Sequence, residues 1–457
     1  AAQVIQRKTR EKARRDHYPA PFALIDLWRE HGGSKSDMLA GERESVARLI
    51  TGDTAQNLIR VFFLRERLKK AGRESEREIE HVHVIGAGVM GGDIAAWCAL
   101  KGLRVSLSDI DVDQIGAAVG RADSLFRKKL RERNKVRDAH DRLLPDPSGK
   151  AVRRADLVIE AVAEKLDVKK AVFAEVIKQA RDDALLATNT SAIPLEDIAE
   201  AVGASERLMG LHFFNPVAKL PLVEVVRAEG TAEETAAAGA AFCEAIGKLP
   251  LPVKSAPGFL VNRVLTPYML EAMKLIEEGH APETVDRAAE EFGMPMGPVE
   301  LADSVGLDIA REVGERLAEH FSLEAPDRLQ QLVRQKKLGK KSGEGFYVWK
   351  DGKPQKNEKS AAEPEKTMVD RLILQMVNAC AGCLRDGVVE DADMADAGMI
   401  FGTGFAPFRG GPMHYVERRG RDDVVGALEN LAEQHGKRFQ PDRFWAKTKK
   451  KTKTKGR

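Results

Sequence analysis

Short apolar runs dominate the middle of the chain. His81–Val82–His83–Val84–Ile85, Val105–Ser108, Leu157–Ile159, Leu185–Thr188, Leu208–His212 and Leu222–Val226 are each too short for a buried helix, so they are predicted as strands. Helical patterns around 166–180, 195–202 and 231–246 separate most of them, and strands alternating with helices argue for a parallel, doubly wound sheet. The charged stretch 111–155 reads as an insertion forming a long helix directed away from that sheet. Before His81 the pattern is helical throughout: Leu58, Val61, Phe62 and Leu64 recur on one face and Leu68 continues it. After Pro257 the strands stop. Residues 258–335 are helical and are expected to close with a small hairpin over Gly343–Val348.

Beyond a Lys/Glu/Pro/Ser-rich stretch from Lys350 to Lys366, which lacks an apolar period, the chain repeats itself. Val261, Arg263 and Gly279 recur as Val369, Arg371 and Gly387, offset by 108, while Phe292, Gly293 and Pro298 recur as Phe401, Gly402 and Pro407, offset by 109. Matched positions with a consistent shift suggest a duplicated helical domain. The expected organisation is a helical arm over 1–78, a nucleotide-binding domain over 79–256 and a helical domain over 257–350. A linker (351–366), a second helical repeat (367–445) and a basic tail (446–457) follow.

Composition narrows the class. A chain of 457 residues is too long for one ordinary core, and 43% hydrophobic with 31% charged residues is a globular balance. Seventy-three basic against seventy acidic side chains leave +3, too near neutral to imply a nucleic-acid partner. That excess is local, because Lys447–Arg457 carries six Lys and one Arg and reads as a solvated tail. No window is apolar enough for a membrane span, and no secretory signal precedes the first helices, so a cytoplasmic location is expected. Four cysteines form no disulfide framework. Cys380 and Cys383 make a CxxC inside an apolar helical pattern with no further ligands beside it, so core packing is favoured and no metal is expected.

The first strand runs directly into Gly86–Ala87–Gly88–Val89–Met90–Gly91 and an alanine-rich helix. A dinucleotide pyrophosphate needs close approach to backbone N–H groups at a helix N-terminus. Gly86 permits the tight turn, Gly88 removes the side chain beneath the phosphates and Gly91 lets helix and strand touch. Asp109, at the next strand end and 18 residues after Gly91, would accept both ribose hydroxyls and repel a 2′-phosphate, which favours NAD over NADP. Taken alone, Asp109 could also be one loop carboxylate among Asp111 and Asp113.

The second cluster is Leu211–His212–Phe213–Phe214–Asn215–Pro216, followed by Leu222–Val223–Glu224–Val225. A histidine between Leu and Phe at a strand end is ordinarily a packed one. Glu224, between two valines, changes that reading, because a carboxylate in an apolar strand must be paired. If its strand returns alongside the preceding one, Glu224 meets the His212 imidazole and fixes its tautomer, the arrangement of a general base held by a carboxylate. Thr188–Asn189–Thr190–Ser191 and Pro257–Gly258–Phe259–Leu260–Val261–Asn262–Arg263 are polar or helix-opening runs where a substrate could lie, although Asn189 and Ser191 serve equally well as a helix start. Glu160 and Glu164 fall at the edge of the nucleotide crevice, and Lys169 either pairs with a carboxylate there or is solvated.

Ile85–Gly91, Asn189–Ser191, Leu211–Pro216 with Glu224, and Pro257–Arg263 together resemble the L-3-hydroxyacyl-CoA dehydrogenases, over about 79–350 and through the repeat to about 435. With the helical arm and the repeat, the chain looks like the dehydrogenase half of a multifunctional fatty-acid oxidation enzyme. Residues 1–75 resemble only the end of its enoyl-CoA hydratase unit and the linker helix after it. The resemblance implies an α/β fold, with a Rossmann-type doubly wound sheet followed by two related all-helical C-terminal domains. It makes His212 the base and Glu224 its partner, and places Ser191 and Asn262 at the substrate's 3-hydroxyl and thioester region. Asn215 falls by the nicotinamide and near the substrate, with Met90, Asp109, Ala163, Glu164, Lys169 and Ser191 among the NAD contacts.

The implied reaction is NAD-dependent oxidation of an (S)-3-hydroxyacyl-CoA to a 3-oxoacyl-CoA in fatty-acid β-oxidation. The implied partners are the acyl-CoA substrate, a thiolase β subunit and a second copy through the helical domains. The basic run Arg127–Lys129 with Arg131 and Arg133 either meets the CoA phosphates or forms a solvated helix face. The hydratase core does not occur in this sequence, so no hydratase activity is expected of it. Asp93 departs from the family, which usually has a small uncharged residue there; placed in the first helical turn and aimed at the pyrophosphate, it would weaken NAD. Competing readings are a non-catalytic scaffold that binds NAD or acyl-CoA, and a dehydrogenase of other hydroxyacids.

Overall fold

Eight strands form one sheet in the order β3–β2–β1–β4–β5–β6–β7–β8. They are β1 (His81–Ile85), β2 (Arg104–Ser108), β3 (Leu143–Pro145), β4 (Leu157–Glu160), β5 (Leu185–Thr188), β6 (Leu208–Phe213), β7 (Leu222–Arg227) and β8 (Leu249–Lys254). The structure, a computed structural model, describes residues 2–446 apart from 204, 322–325 and 358–361, so the basic tail from Lys447 lies outside the described residues. Every neighbouring pair is parallel except β6 and β7, which run antiparallel and place His212 directly opposite Glu224.

Alternation along the strands divides the core. Leu157 and Ile159 of β4, Met209, Leu211 and Phe213 of β6, and Val223 and Val225 of β7 face α5 (Val89–Leu100), α6 (Val112–Lys129), α7 (Arg133–Arg142) and α10 (Glu233–Ala245). Val158, Leu186 and Leu208 point the other way, beneath α8 (Leu166–Ile177) and α9 (Leu195–Val202). His212 and Glu224 also lie on that second face, out of step with Phe213, Val223 and Val225. There the sheet end formed by Leu222, Val226, Leu251 and Val253 packs into the core of the helical region.

Three expectations are corrected. Residues 111–155 form α6, α7 and a 3-10 turn (Lys150–Arg154), with β3 joining the sheet beside β2, rather than one long helix leaving the sheet. β8 was not foreseen; Pro250 and Pro252 hide it, and they are tolerated because β8 is an edge strand whose one neighbour is β7. The small hairpin extends beyond the expected segment: Glu344 bridges Val348 antiparallel within it, and β9 (Trp349–Lys350) then pairs with β10 (Lys353–Pro354).

The helical region contains α11 (Val261–Glu277), α12 (Pro282–Phe292), α13 (Pro298–Val305), α14 (Leu307–Phe321) and α15 (Asp327–Arg334). After the hairpin come α16 (Lys366–Arg385), α17 (Ala392–Thr403), α18 (Pro412–Arg419), α19 (Arg421–His435) and the short α20 (Arg443–Ala446). The offset of 108 places Arg263 and Arg371 alike, and their pairing is reciprocal. Arg263 of α11 bonds Asp386 just past the end of α16, at 2.5 Å, and Arg371 of α16 bonds Glu278 just past the end of α11, at 2.5 and 2.8 Å. The offset of 109 does not persist. The left-handed glycine after α12 is Gly293, and after α17 it is Gly404 rather than Gly402. Pro298 opens α13, and its structural counterpart Pro412 opens α18, whereas Pro407 starts a 3-10 turn.

The N-terminal helices are α1 (Ala2–Arg10), α2 (Pro19–His31), α3 (Lys35–Thr51) and α4 (Asp53–Ala71). α4 is built into the core rather than standing free. Leu64 and Leu68 are buried and Val61 packs beside them, while Leu58 and Phe62 of the expected face remain exposed. Arg60 ties α4 to α17 through Asp393 and Asp396, at 2.6 and 2.8 Å. Replacing Leu68, which is 0% exposed, with Ala should lower stability in urea unfolding by about 2–5 kcal/mol. Phe62→Ala, at a residue 56% exposed, should cost no more than about 0.5 kcal/mol.

Candidate active site

The turn after β1 has the shape an anion requires. Gly86 adopts φ 99°, and a Cβ there would meet the Ala161 carbonyl oxygen at 2.5 Å; a Cβ on Gly91 would overlap the Gly86 carbonyl. Around Gly88 nothing lies within 4 Å of a Cβ position, so the space above the turn is open. Gly88 is the N-cap of α5 and contributes no side-chain cap, which leaves first-turn amides available to an outside acceptor. Asp109 accepts hydrogen bonds from Ala87 N at 2.6 Å and from Asp111 N at 2.9 Å, so the carboxylate that would receive a ribose also holds the turn. Met90 is half-buried on α5. The open turn and Asp109 fit a dinucleotide. A groove of about 560 Å³ with mainly apolar walls starts beside them at Ile85 and Ser108 and runs beneath α8 as far as Gln179, lined by no residue of the turn itself.

Asp93 does not stand in the first helical turn. It is the fifth residue of α5, and its carboxylate lies 3.8 Å from Arg121 Nε of α6. Burial pushes the Asp93 carboxyl above its ordinary value, and the Arg121 charge pulls it back.

Across the crevice, β4 ends in Glu160, which is fully buried. It accepts from Lys169 Nζ at 2.9 and 3.0 Å, from Thr188 Oγ1 at 2.7 Å and from Val162 N at 2.7 Å. Lys169, expected among the NAD contacts, is 1% exposed and lies between Glu160 and Glu164 Oε2, the latter at 3.1 Å. Its ammonium is consumed by those carboxylates, so its influence on the crevice passes through Glu164. Glu164 Oε1 accepts from Thr190 Oγ1 at 2.5 Å and from Ser191 N at 2.8 Å, with Ser191 Oγ at 3.3 Å. Burial alone pushes the Glu164 carboxyl up; Lys169 and these donors outweigh it and hold the group below its ordinary value. Ala163, beside it, is exposed to the crevice loop.

The imidazole and its acid meet as the strand pattern requires. His212 Nδ1 donates to Glu224 Oε2 at 2.7 Å, which leaves Nε2 as the nitrogen without a hydrogen-bond partner among the described residues. Glu224 is 0% exposed, and its other oxygen accepts from Leu260 N and Val261 N, each at 3.0 Å. Those are amides at the start of α11, whose own N-cap offers no side-chain cap. Gly258 at φ 72° and Phe259 at φ 49° bend the chain into that position. The Phe214 and Phe259 rings flank His212, with centroids 4.5 and 5.8 Å from its own.

Asn262, one residue into α11, donates from Nδ2 to the Ser191 carbonyl at 3.0 Å, bringing the two polar runs together across the cleft. Asn189 serves the scaffold instead: its Oδ1 accepts from Phe213 N at 2.9 Å and fixes the strand end that carries His212. Asn215 sits exposed on the loop after β6. Sequence reasoning missed Arg316 of α14, which donates to the Glu164 carbonyl at 2.6 Å, and Arg121, which donates to the carbonyls of Ala87 and Gly88 at 3.3 and 2.9 Å. Neither carries a local signal, because both arrive from helices distant in sequence.

Comparison with known proteins gives a consistent answer. Residues 81–256 match the family model of the 3-hydroxyacyl-CoA dehydrogenase NAD binding domain, and residues 258–349 match that of the 3-hydroxyacyl-CoA dehydrogenase C-terminal domain. The fatty acid oxidation complex subunit alpha of Shewanella baltica is 35% identical over 94% of this chain, and that of Psychrobacter arcticus 37% over 92%. The chain spans 64% and 63% of the length of those two relatives. Among solved structures, 3-hydroxybutyryl-CoA dehydrogenase from Escherichia coli K12 is 28% identical with a TM-score of 0.73, covering 81% of this chain and 98% of its own. The (S)-3-hydroxybutyryl-CoA dehydrogenase of Ralstonia eutropha is 33% identical with a TM-score of 0.56, covering 60% of this chain and all of its own.

The depressed Glu164 carboxyl gives a pH signature. A carboxylate held below its unfolded-state pKa adds stability that is present above that value and is lost as pH falls through the folded one. Glu164→Gln should therefore be less stable than the parent at neutral pH by about 1–2 kcal/mol, and the two unfolding curves should converge as the solution is acidified below the glutamate range.

Proposed function

The chain belongs to the 3-hydroxyacyl-CoA dehydrogenase family, and from that premise we propose that it oxidises the 3-hydroxyl of an (S)-3-hydroxyacyl-CoA to a ketone with His212 as the base. The observation that carries this is the His212–Glu224 pair, its free Nε2 flanked by Phe214 and Phe259 at the junction of the sheet with α11. Gly86, Gly88, Met90 and Gly91 would cradle NAD at the start of α5, Asp109 would receive its ribose hydroxyls, and Ala163 and Glu164 would border it. NAD supplies the two-electron acceptor. His212 Nε2 takes the hydroxyl proton, and Glu224, unable to donate, holds the Nδ1 proton in place and stabilises the resulting imidazolium. Ser191 and Asn262, already joined, present polar groups to the substrate's 3-oxygen and thioester region, and Asn215 borders the nicotinamide side.

The relatives named as alpha subunits of a fatty acid oxidation complex favour fatty-acid oxidation within a multi-subunit complex as the setting; a thiolase-type β subunit as partner and a cytoplasmic location are part of the same proposal. No helix among the described residues is long and apolar enough to cross a membrane. A scaffold without turnover could use Glu224 to seat α11, but it would have no use for an imidazole held on the same carboxylate through Nδ1.

His212→Gln should bind NAD within about twofold of the parent, while oxidation of (S)-3-hydroxybutyryl-CoA, followed as NADH formation at 340 nm, falls by on the order of 10²–10⁴. Unchanged turnover in that variant would remove His212 from the reaction.

A further inference from the structure

The helix that carries the glycine-rich turn has an ionic neighbour that the proposed reaction does not use. Arg121 projects from α6 and donates from one terminal nitrogen to both the Ala87 and Gly88 carbonyls, at 3.3 and 2.9 Å. A Cβ on Gly92 would meet that nitrogen at 2.7 Å, so the fourth residue of α5 must be glycine for the guanidinium to reach the turn. Arg121 Nε is buried with no hydrogen-bond partner among the described residues and lies 3.8 Å from Asp93 Oδ1, beyond hydrogen-bond range but close enough for ionic attraction.

We propose that Arg121 is a positioning residue for the cofactor pyrophosphate, and that Asp93 opposes it as a built-in limit on affinity. The inference rests on the assignment of the Gly86–Gly91 turn to NAD. Two physical arguments support it. A carbonyl held by Arg121 fixes the plane of its peptide, and the Ala87 and Gly88 carbonyls belong to the peptides whose N–H groups are those of Gly88 and Val89, at the opening of α5. Their partner is an anion, so every nearby charge enters its binding. The guanidinium adds to the positive potential at the helix N-terminus, and the Asp93 carboxylate, one turn along the same helix, subtracts from it.

The two residues therefore make opposite predictions, which a merely structural pair does not. Binding of NAD and of ADP-ribose to the whole chain is measured by titration calorimetry, without turnover, at low and moderate salt. Arg121→Met should weaken both ligands by about five- to twentyfold, with the kinetic loss falling on KM for NAD more than on kcat. Asp93→Asn should tighten both by about two- to fivefold, and the gain should shrink as salt is raised. If both variants weaken binding together, or Arg121→Met binds NAD and ADP-ribose within twofold of the parent, the inference is overturned. If the parent chain itself binds neither ligand, the cofactor assignment fails and this inference falls with it.

Discussion

A single carboxylate organises the cleft. Glu224 is fully buried, and a buried charge is sustained only by donors that replace its lost hydration. It has three: one from His212 and two from the start of α11. The same group thus orients the imidazole and caps the first helix of the helical region, so seating that helix against the sheet and setting the histidine tautomer are one event. The antiparallel β6–β7 pair makes this possible, because it puts Glu224 opposite His212 on the face that meets α11.

The device recurs at two further helices that begin without their own capping side chain. α13 and α18 both start with Pro after a glycine N-cap. Asp286 accepts from Val299 N and Glu300 N at the first, and Asp396 from Met413 N and His414 N at the second. A Cβ on Gly297 or Gly411 would collide with the respective carboxyl group, which accounts for glycine there. Burial pushes both acids up, Asp286 to about 6 and Asp396 to about 7, and each is offset by a cation from elsewhere in the chain, Lys356 and Arg60. Glu164 performs the corresponding task at the crevice, where it gathers Thr190 and the amide of Ser191. Distant acids therefore join the elements, and the His212–Glu224 pair is one instance of that architecture.

What the sequence revealed follows from how local each signal is. The glycine turn, Asp109 and the strand pattern around His212 and Glu224 were legible because periodicity and spacing carry them, and the structure brings His212 and Glu224 together as the alternation requires. Strand β8 was obscured by two prolines that only an edge position tolerates, and β3 is a three-residue strand, too short for any period to register. The second role of Glu224 was invisible, since its amide donors lie 36 and 37 residues away. Pairing with a carboxylate was one of the two readings open for Lys169, but nothing local announces that Glu160 and Glu164 both enclose it. Asp93 was legible as an acid near the turn, but its place as the fifth residue of α5 and its neighbour Arg121, 28 residues on, were not.

The central claim is that the Glu224 carboxylate makes His212 a working base for acyl-CoA oxidation, and the reverse reaction tests it most directly. Reduction of acetoacetyl-CoA, followed as loss of NADH absorbance, should be rapid in the parent chain. In Glu224→Gln, whose amide can still accept from the α11 amides, it should be at least about tenfold slower in kcat with the helical content retained. An inactive parent, or a Glu224→Gln variant that turns over at the parent rate, would contradict the account.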